Sequence, residues 1–233
     1  METFVKKTKL CKFLDTWRFV SSYDLSDRLP KYQVERCLYQ AWKVTPSKNS
    51  FMPYSVFVVG PEEWELKDKI YQTAAAKEKN SNTRNSNPDA WDINPNKYTI
   101  KECEYAVVFT PRVEDQPSKW QQHLHEGGCY MDSWYEEGIR KYMKTILVEV
   151  GMFAQNLTAF CIEQGINTNY IASFESDLKY WKEVPFVQRE PCLIMTMGKA
   201  KEFRRDWLKK DGMDSWDVKP DFKKVVQFYG IEK

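Results

Sequence analysis

The sequence predicts an α+β or α/β sandwich in which helices alternate with strands around one sheet. Three observations carry that prediction. The runs Tyr54–Val59, Tyr105–Thr110 and Pro191–Gly198 have the β-branched and apolar content of buried strands. Between them, apolar residues recur at helical spacing, most clearly at Ile139, Tyr142, Ile146, Val150, Phe153, Leu157 and Phe160. No long series of short strands joined by hairpin turns is present, which argues against an all-β barrel or sandwich. The direction and order of the strands do not follow from this pattern.

Taken in order, Thr8 to Phe19 reads as a first helix. The run LPKYQVERCLYQAWKV reads as a second, with Tyr32, Leu38, Ala41 and Trp42 as its apolar positions and Thr45-Pro46 as its end. Tyr54–Val59 stops at Gly60-Pro61 and is apolar on both faces, the pattern of a central strand covered by helices. PEEWELKDKIYQTAAAKEK is a helix with Pro61 in its first turn and acidic residues at its start. Asn80 to Asn96, with Asn82, Asn85, Asn87, Asn94 and two prolines, favours turns and reads as a surface loop or lid. After the strand at Tyr105, Pro111 to Trp120 is irregular. A long amphipathic helix then runs from about Tyr130 and is closed by Gly165. Asn169 to Phe174 is extended, Glu175 to Trp181 a short helix, and the tail from Lys199 to Lys233 spaces Trp207, Trp216, Phe222 and Phe228 among charges. That tail is too irregular to be a second domain and is expected to wrap over its own core or over a second subunit.

A chain of 233 residues supports one large domain spanning 1–233. With a net charge of +2, 42% hydrophobic and 29% charged residues, it has no global electrostatic reason to bind nucleic acid or an anionic membrane. METFVKKTKLCKFLDTW lacks the apolar core of a signal peptide or membrane span, so a cytoplasmic location is expected. The six cysteines, at 11, 37, 103, 129, 161 and 192, form no CxxC pair and are expected to be mostly reduced, several of them buried. G-x-S-x-G, G-x-G-x-x-G and G-x-x-x-x-G-K-[ST] are all absent, which removes a hydrolase elbow, a Rossmann fingerprint and a P-loop. His123, His125, Glu126 and Cys129 are competent metal ligands close together, but no second cluster completes a coordination shell, and no metal is expected.

The residues with chemistry to offer are donors. In AWKVTPSKNSFMPYSVFVVG, a helix ends at Pro46, a polar loop carries Ser47, Lys48 and Asn49, and an apolar strand follows. Short donors between a helix end and a strand are placed to hold a polar, planar ligand. Asn96 precedes the second strand, and Arg18, Ser21 and Ser22 lie near the N-terminus. Arg204 and Arg205 follow the third strand.

Pro46, Ser47, Asn49, Pro53 and Tyr54 resemble the "PS.xN..PW" loop of the flavin-dependent nitroreductase family. Asn96 resembles that family's ring-binding Asn, and the long helix followed by Gly165, Ile166, Thr168, Ile171 and Phe174 resembles its "GLGT.WI..F" segment. The loop also resembles its form in nitroreductase-like proteins of large tailed bacteriophages. The resemblance implies a three-layer α/β/α fold around a mostly antiparallel sheet, with FMN bound between two subunits of a homodimer. It implies reduction by NAD(P)H and transfer to nitroaromatic or quinone acceptors by a ping-pong mechanism. Arg18, Ser21, Ser22, Arg204 and Arg205 would hold the phosphate; Ser47, Asn49 and Asn96 the ring's polar edge; Lys48 or Lys97 would stabilise the reduced ring. A backbone N–H near Ala172 or Ser173 would face flavin N5, so no side chain acts as catalyst. Two departures stand out: WRFVSSYD lacks the family's Arg-x-Ser-x-Arg run, and Met52 and Tyr54 replace its Gln and Trp. The other readings are a specialised relative, such as a dehalogenase or ring oxidoreductase, and a binding protein that has lost flavin.

Overall fold

The structure is a computed structural model that describes residues 20–47, 51–80, 95–112, 119, 122–123, 136–203 and 222–227. Among these residues the elements are β1 (Val20–Tyr23), α1 (Lys31–Val44), β2 (Tyr54–Val59), α2 (Trp64–Asn80), α3 (Pro95–Glu102), β3 (Tyr105–Pro111), α4 (Glu136–Glu163), β4 (Asn167–Ile171), β5 (Leu193–Gly198), β6 (Ala200–Phe203) and α5 (Phe222–Val225). The main sheet has the order β2-β3-β5-β4 with every pair antiparallel, and β1 pairs with β6 in a separate two-stranded ribbon.

Strand periodicity sorts the core into two halves. In β3, Tyr105, Val107 and Phe109 point to one face, with Met195 and Met197 of β5, and there meet Val34, Cys37 and Ala41 of α1 and the inner stripe of α4. Ala106 and Val108, with Ile194 and Ile171, point the other way, to Ile70 and Ala74 of α2, Ile100 of α3 and the segment carrying Trp181 and Val184. The result is the expected three-layer α/β/α arrangement, with a helical layer on each face of an antiparallel sheet.

The long helix is closed where its sequence says it should be. Gly165 has φ +66, its N–H donates to Ile162 O at 3.0 Å, and the Ile166 N–H donates to Cys161 O at 2.8 Å. That pair of bonds is the Schellman arrangement, which needs a residue tolerant of left-handed backbone at this position. By length and composition the stretch Met143–Glu163 could cross a membrane. Its Ile146, Val150, Phe153, Leu157 and Cys161 are buried in the core, so here it acts as the central helix of a folded domain.

Several expectations are corrected. Tyr54–Val59 is an edge strand of the main sheet, not a central one, and Val58 is 41% exposed. Its apolar character serves a groove beside α1 as well as the core. Pro95 and Asn96, read as the end of the loop Asn80 to Asn96, instead open α3 (Pro95–Glu102), with Pro95 at the first helical position, where its missing N–H costs nothing. Helix α2 begins at Trp64, three residues after Pro61. The extended segment expected at Asn169–Phe174 is β4, shifted to Asn167–Ile171, and the helix expected at 175–181 shrinks to a 3₁₀ turn at Leu178–Tyr180. Strands β1 and β6 were not anticipated, being four residues each with mixed polarity, too short to show a period. The first helix expected at Thr8 to Phe19 lies outside the described residues, as do Leu124 to Cys129 of the metal-ligand cluster.

Local anchors tie the layers together. Both carboxylate oxygens of the buried Glu104 accept from the Leu29 N–H at 2.7 Å, which fixes the β1–α1 connection on the start of β3. The Glu104 acid is pushed above its usual range, chiefly by burial and against the lowering effect of that hydrogen bond. Lys67 of α2, also buried, donates to Cys103 O at 2.8 Å.

Candidate functional site

Strand β1 lies along α3 and touches β4. Its Tyr23 ring packs on Gly198 and its hydroxyl bonds Thr196 Oγ1 at 2.8 Å, while the Asp24 N–H donates to Lys199 O at 2.8 Å. Burial drives the Tyr23 hydroxyl well above its ordinary pKa, so it stays a neutral hydrogen-bonding group. On the same flank, Asn169 of β4 donates to Thr99 of α3 at 3.4 Å. These contacts draw β1, α3, β4 and β6 to the β4 edge of the main sheet.

Five of the sequence-predicted residues fall on this edge. Ser21 is 6% exposed, and its Oγ has no hydrogen-bond partner among the described residues. A buried hydroxyl without a partner costs on the order of 1–3 kcal/mol, so it marks a place where a donor is available. Ser22 is half-buried and pairs with Glu202 of β6. Asn96 sits in the first turn of α3, its side chain outside the described atoms. Ala172 and Ser173 follow β4 directly and are exposed. Arg18, Arg204 and Arg205 lie outside the described residues; in the chain they stand two residues before Val20 and one and two after Phe203, and Val20 and Phe203 are paired.

Ser47 is elsewhere. It follows α1, its Oγ accepts from the Met52 N–H at 2.7 Å, and the chain then enters β2. Asn156 of α4 donates to Thr45 Oγ1 at 3.0 Å, and Thr45 Oγ1 in turn donates to Ala41 O at 2.6 Å. Met52 takes a left-handed φ of 45, and Arg112 holds this bend by donating from Nη2 to Phe51 O at 2.6 Å and from Nε to Met52 O at 3.2 Å. Lys48 and Asn49 lie outside the described residues. The loop therefore belongs to the β2 edge. With strands spaced about 4.8 Å apart, the two edges of a four-stranded sheet are roughly 14 Å apart.

A groove of about 490 Å³ opens beside the Ser47 loop, lined mainly by Leu38, Trp42, Phe51, Met52, Tyr54 and Phe153. It has the size and apolar lining of a small-molecule site. Tyr54 is 4% exposed, and its hydroxyl has no hydrogen-bond partner among the described residues. Burial, reinforced by the charge of Glu149 on α4, drives that hydroxyl far above its usual pKa. The sequence reading passed over Arg112 and Glu149. Their signals were present: Arg112 directly follows an apolar strand, and Glu149 interrupts the apolar stretch between Ile146 and Val150. Among the described residues, no group of three or more potential metal ligands is assembled, and His123 is exposed.

No protein-family profile matches the sequence, and no curated protein does so. Solved structures do resemble the fold. One is a nitroreductase-like protein from Streptococcus mutans, with a TM-score of 0.63 at 18% identity, over 94% of this chain and 97% of that one. Another, from Exiguobacterium sibiricum, is assigned as a nitroreductase and was solved in complex with FMN; its TM-score is 0.63 at 15% identity, over 95% and 98%. A third, from Staphylococcus epidermidis, is assigned as an NAD(P)H:FMN oxidoreductase; its TM-score is 0.62 at 13% identity, over 98% and 100%. Likeness across nearly the whole of each chain, together with the antiparallel sheet and its two helical layers, establishes that this chain has the nitroreductase fold.

Proposed function

We propose that the protein is an FMN-dependent oxidoreductase that takes reducing equivalents from NAD(P)H and delivers them to a small planar acceptor of the nitroaromatic or quinone type. The observation that carries this reading is the meeting of β1, α3 and the end of β4 on one sheet edge, within a fold whose solved examples include an FMN complex. The residues there suit the cofactor. Ser21 offers a buried hydroxyl with no hydrogen-bond partner among the described residues, and the half-buried Ser22 offers another hydroxyl. Arg18, Arg204 and Arg205, within two residues in sequence of the paired Val20 and Phe203, are the cations assigned to the phosphate. A phosphate buried without such partners would cost several kcal/mol.

Ser47, Asn49 and Asn96 are assigned to the polar edge of the ring, Lys48 or Lys97 to the stabilisation of the reduced ring, and the backbone N–H of Ala172 or Ser173 to its N5 side. When bound, FMN supplies the hydride acceptor for NAD(P)H and the donor for the second substrate, in two successive half-reactions. The separation of Ser47 from the β4 edge favours a homodimer in which each chain's Ser47 loop completes the site of the other.

The test of the redox reading is the visible absorption spectrum of the purified protein after incubation with FMN and gel filtration, followed by addition of NADH or NADPH. Retained flavin bands that bleach with a nicotinamide support the proposal; a protein that never retains FMN overturns it. The shared site has its own test, the co-refolding of a Ser21→Asp chain with a Ser47→Ala/Asn49→Ala chain, each inactive alone. Random pairing of two defective chains restores about a quarter of the sites if each site draws on both copies. It restores none if each chain builds its own.

A further inference from the structure

We propose that the protein holds a small organic oxyanion, a carboxylate or phosphate on a compact apolar body, in a cavity lined by Arg112 and Arg189 at the β2 edge of the main sheet. The cavity has a volume of about 320 Å³. Strand register makes its floor. Ser55 of β2 and Thr110 of β3 are cross-strand partners, so their hydroxyls stand side by side on one face of the sheet. Phe57, two residues along on that face, stacks on Phe186 with ring centroids 4.7 Å apart, and both rings line the cavity as an apolar wall. The groove beside the Ser47 loop lies on the opposite face, to which Tyr54, Val56 and Val58 point. Arg112, directly after β3, lines both.

Anchored backbone brings the two arginines to this place. The Arg112 N–H donates to Pro53 O at 3.0 Å, and its side chain donates to Phe51 O at 2.6 Å and Met52 O at 3.2 Å. Those acceptors are carbonyls, which orient a guanidinium without cancelling its charge. Arg189 belongs to a short segment tied at both ends. On one side the Val187 N–H donates to Val184 O at 3.0 Å, with both valines in the core; on the other the Cys192 N–H donates to Phe109 O at 2.7 Å.

Gln188 adds an amide to the lining, and no carboxylate lines the cavity among the described residues. Two cations, two hydroxyls and an amide around one space recognise an anion, and a guanidinium suits the paired oxygens of a carboxylate or phosphate. Because the groups are fixed in advance, little ordering opposes binding. The volume and the aromatic wall select against a bare ion. Inorganic phosphate would leave the Phe57–Phe186 pair uncovered, whereas a ring or short chain attached to the oxyanion covers it. None of the lining residues is assigned to the flavin.

The test is isothermal titration calorimetry of the full chain at constant ionic strength, with benzoate, phenyl phosphate, inorganic phosphate and neutral benzamide as probes. Benzoate or phenyl phosphate should bind with a Kd below about 1 mM, and the tighter of the two identifies the charged group; inorganic phosphate should bind about tenfold more weakly than the tighter one. Benzamide should give no binding heat. Arg189→Gln should weaken the tighter organic anion about tenfold and Thr110→Val about threefold, each melting within about 2 °C of the parent. Arg112 stays in place in these variants because it also holds the bend after Ser47. Benzamide or inorganic phosphate bound as tightly as the organic anions, an affinity unchanged in Arg189→Gln, or no heat from either organic anion up to about 10 mM would overturn the proposal.

Discussion

Replacing Gly198 with Ala probes how the β1–β6 ribbon is seated on the main sheet. A Cβ at this position would stand 2.6 Å from Tyr23 Cδ1, 3.1 Å from Cε1 and 3.2 Å from Cγ. Carbon contacts settle near 3.5 Å or beyond, so the ring has to retreat by about 1 Å. It has nowhere to go. Its hydroxyl is held by Thr196 Oγ1 at 2.8 Å, and its backbone is paired with Ala200. Overpacking of this kind costs about 1–3 kcal/mol, and loss of the buried hydrogen bond adds about 1 kcal/mol. The sum, roughly 2–4 kcal/mol, lowers the melting temperature of a chain this size by about 5–12 °C. Thermal melting followed by far-UV circular dichroism reads this directly. Combining Gly198→Ala with Tyr23→Ala should cost little beyond Tyr23→Ala alone, because the clash has lost its partner. A Gly198→Ala protein that melts within about 2 °C of the parent would show that Tyr23 is not wedged there, and the placement of Ser21 would lose its support.

Gly165→Ala, at φ +66, should destabilise by about 1 kcal/mol in urea unfolding, because an L side chain strains the left-handed backbone of the Schellman turn. Ser21→Ala should weaken FMN binding about tenfold, measured by quenching of flavin fluorescence, while leaving the melting temperature of the free protein unchanged or higher, since a buried hydroxyl with no partner among the described residues is removed. Alkaline pH should destabilise the fold through Cys103. Burial raises this thiol to about 12, whereas in the unfolded chain it titrates near 8.5, so stability falls as pH climbs from about 8.5 toward 12. Cys103→Ser does not titrate there and should lose about 2 kcal/mol less than the parent between pH 8 and pH 10 in denaturant titrations.

The parts of the fold legible in the sequence were those where one physical signal dominated. The stripe ending in Phe160 and the Gly165 stop marked the end of α4, and the runs beginning at Tyr54, Tyr105 and Pro191 marked three strands of the sheet. What escaped was decided by tertiary contact. The mixed sequences VSSY and AKEF become strands because they pair with each other and because Tyr23 reaches Thr196. Residues 95–102 become a helix because Thr99 and Ile100 are drawn into the core, against the turn preference of the asparagines before them. Tyr54–Val59 misled because an edge strand beside an apolar groove carries the same composition as a central one. For the site, sequence gave the residue types. It could not reveal that Ser21 is buried with no partner among the described residues, nor that Ser47 lies at the far edge of the sheet.

That last separation bears on assembly. A ring contacted both by Ser47 and by the backbone after β4 would have to span roughly 14 Å through the middle of a packed sheet if one chain supplied both. The sheet is filled there by Val107, Val108 and Met195, each with 0% exposure. The same chain leaves Tyr39 and Trp42 of α1 and Leu147 and Val148 of α4 at 46–62% exposure, on two helices that pack against each other. Scattered exposed apolar residues are ordinary, but each leaves apolar surface in water at about 25 cal/mol for every Å². Docking a second copy over Tyr39 and Trp42, which pack on each other near the C-terminal end of α1, would remove part of that cost and bring the partner's chain to the end of α1 that leads to Ser47. If the co-refolded variants show no restored sites, the exposed face and the divided site need separate explanations, and the homodimer proposal fails on its own terms.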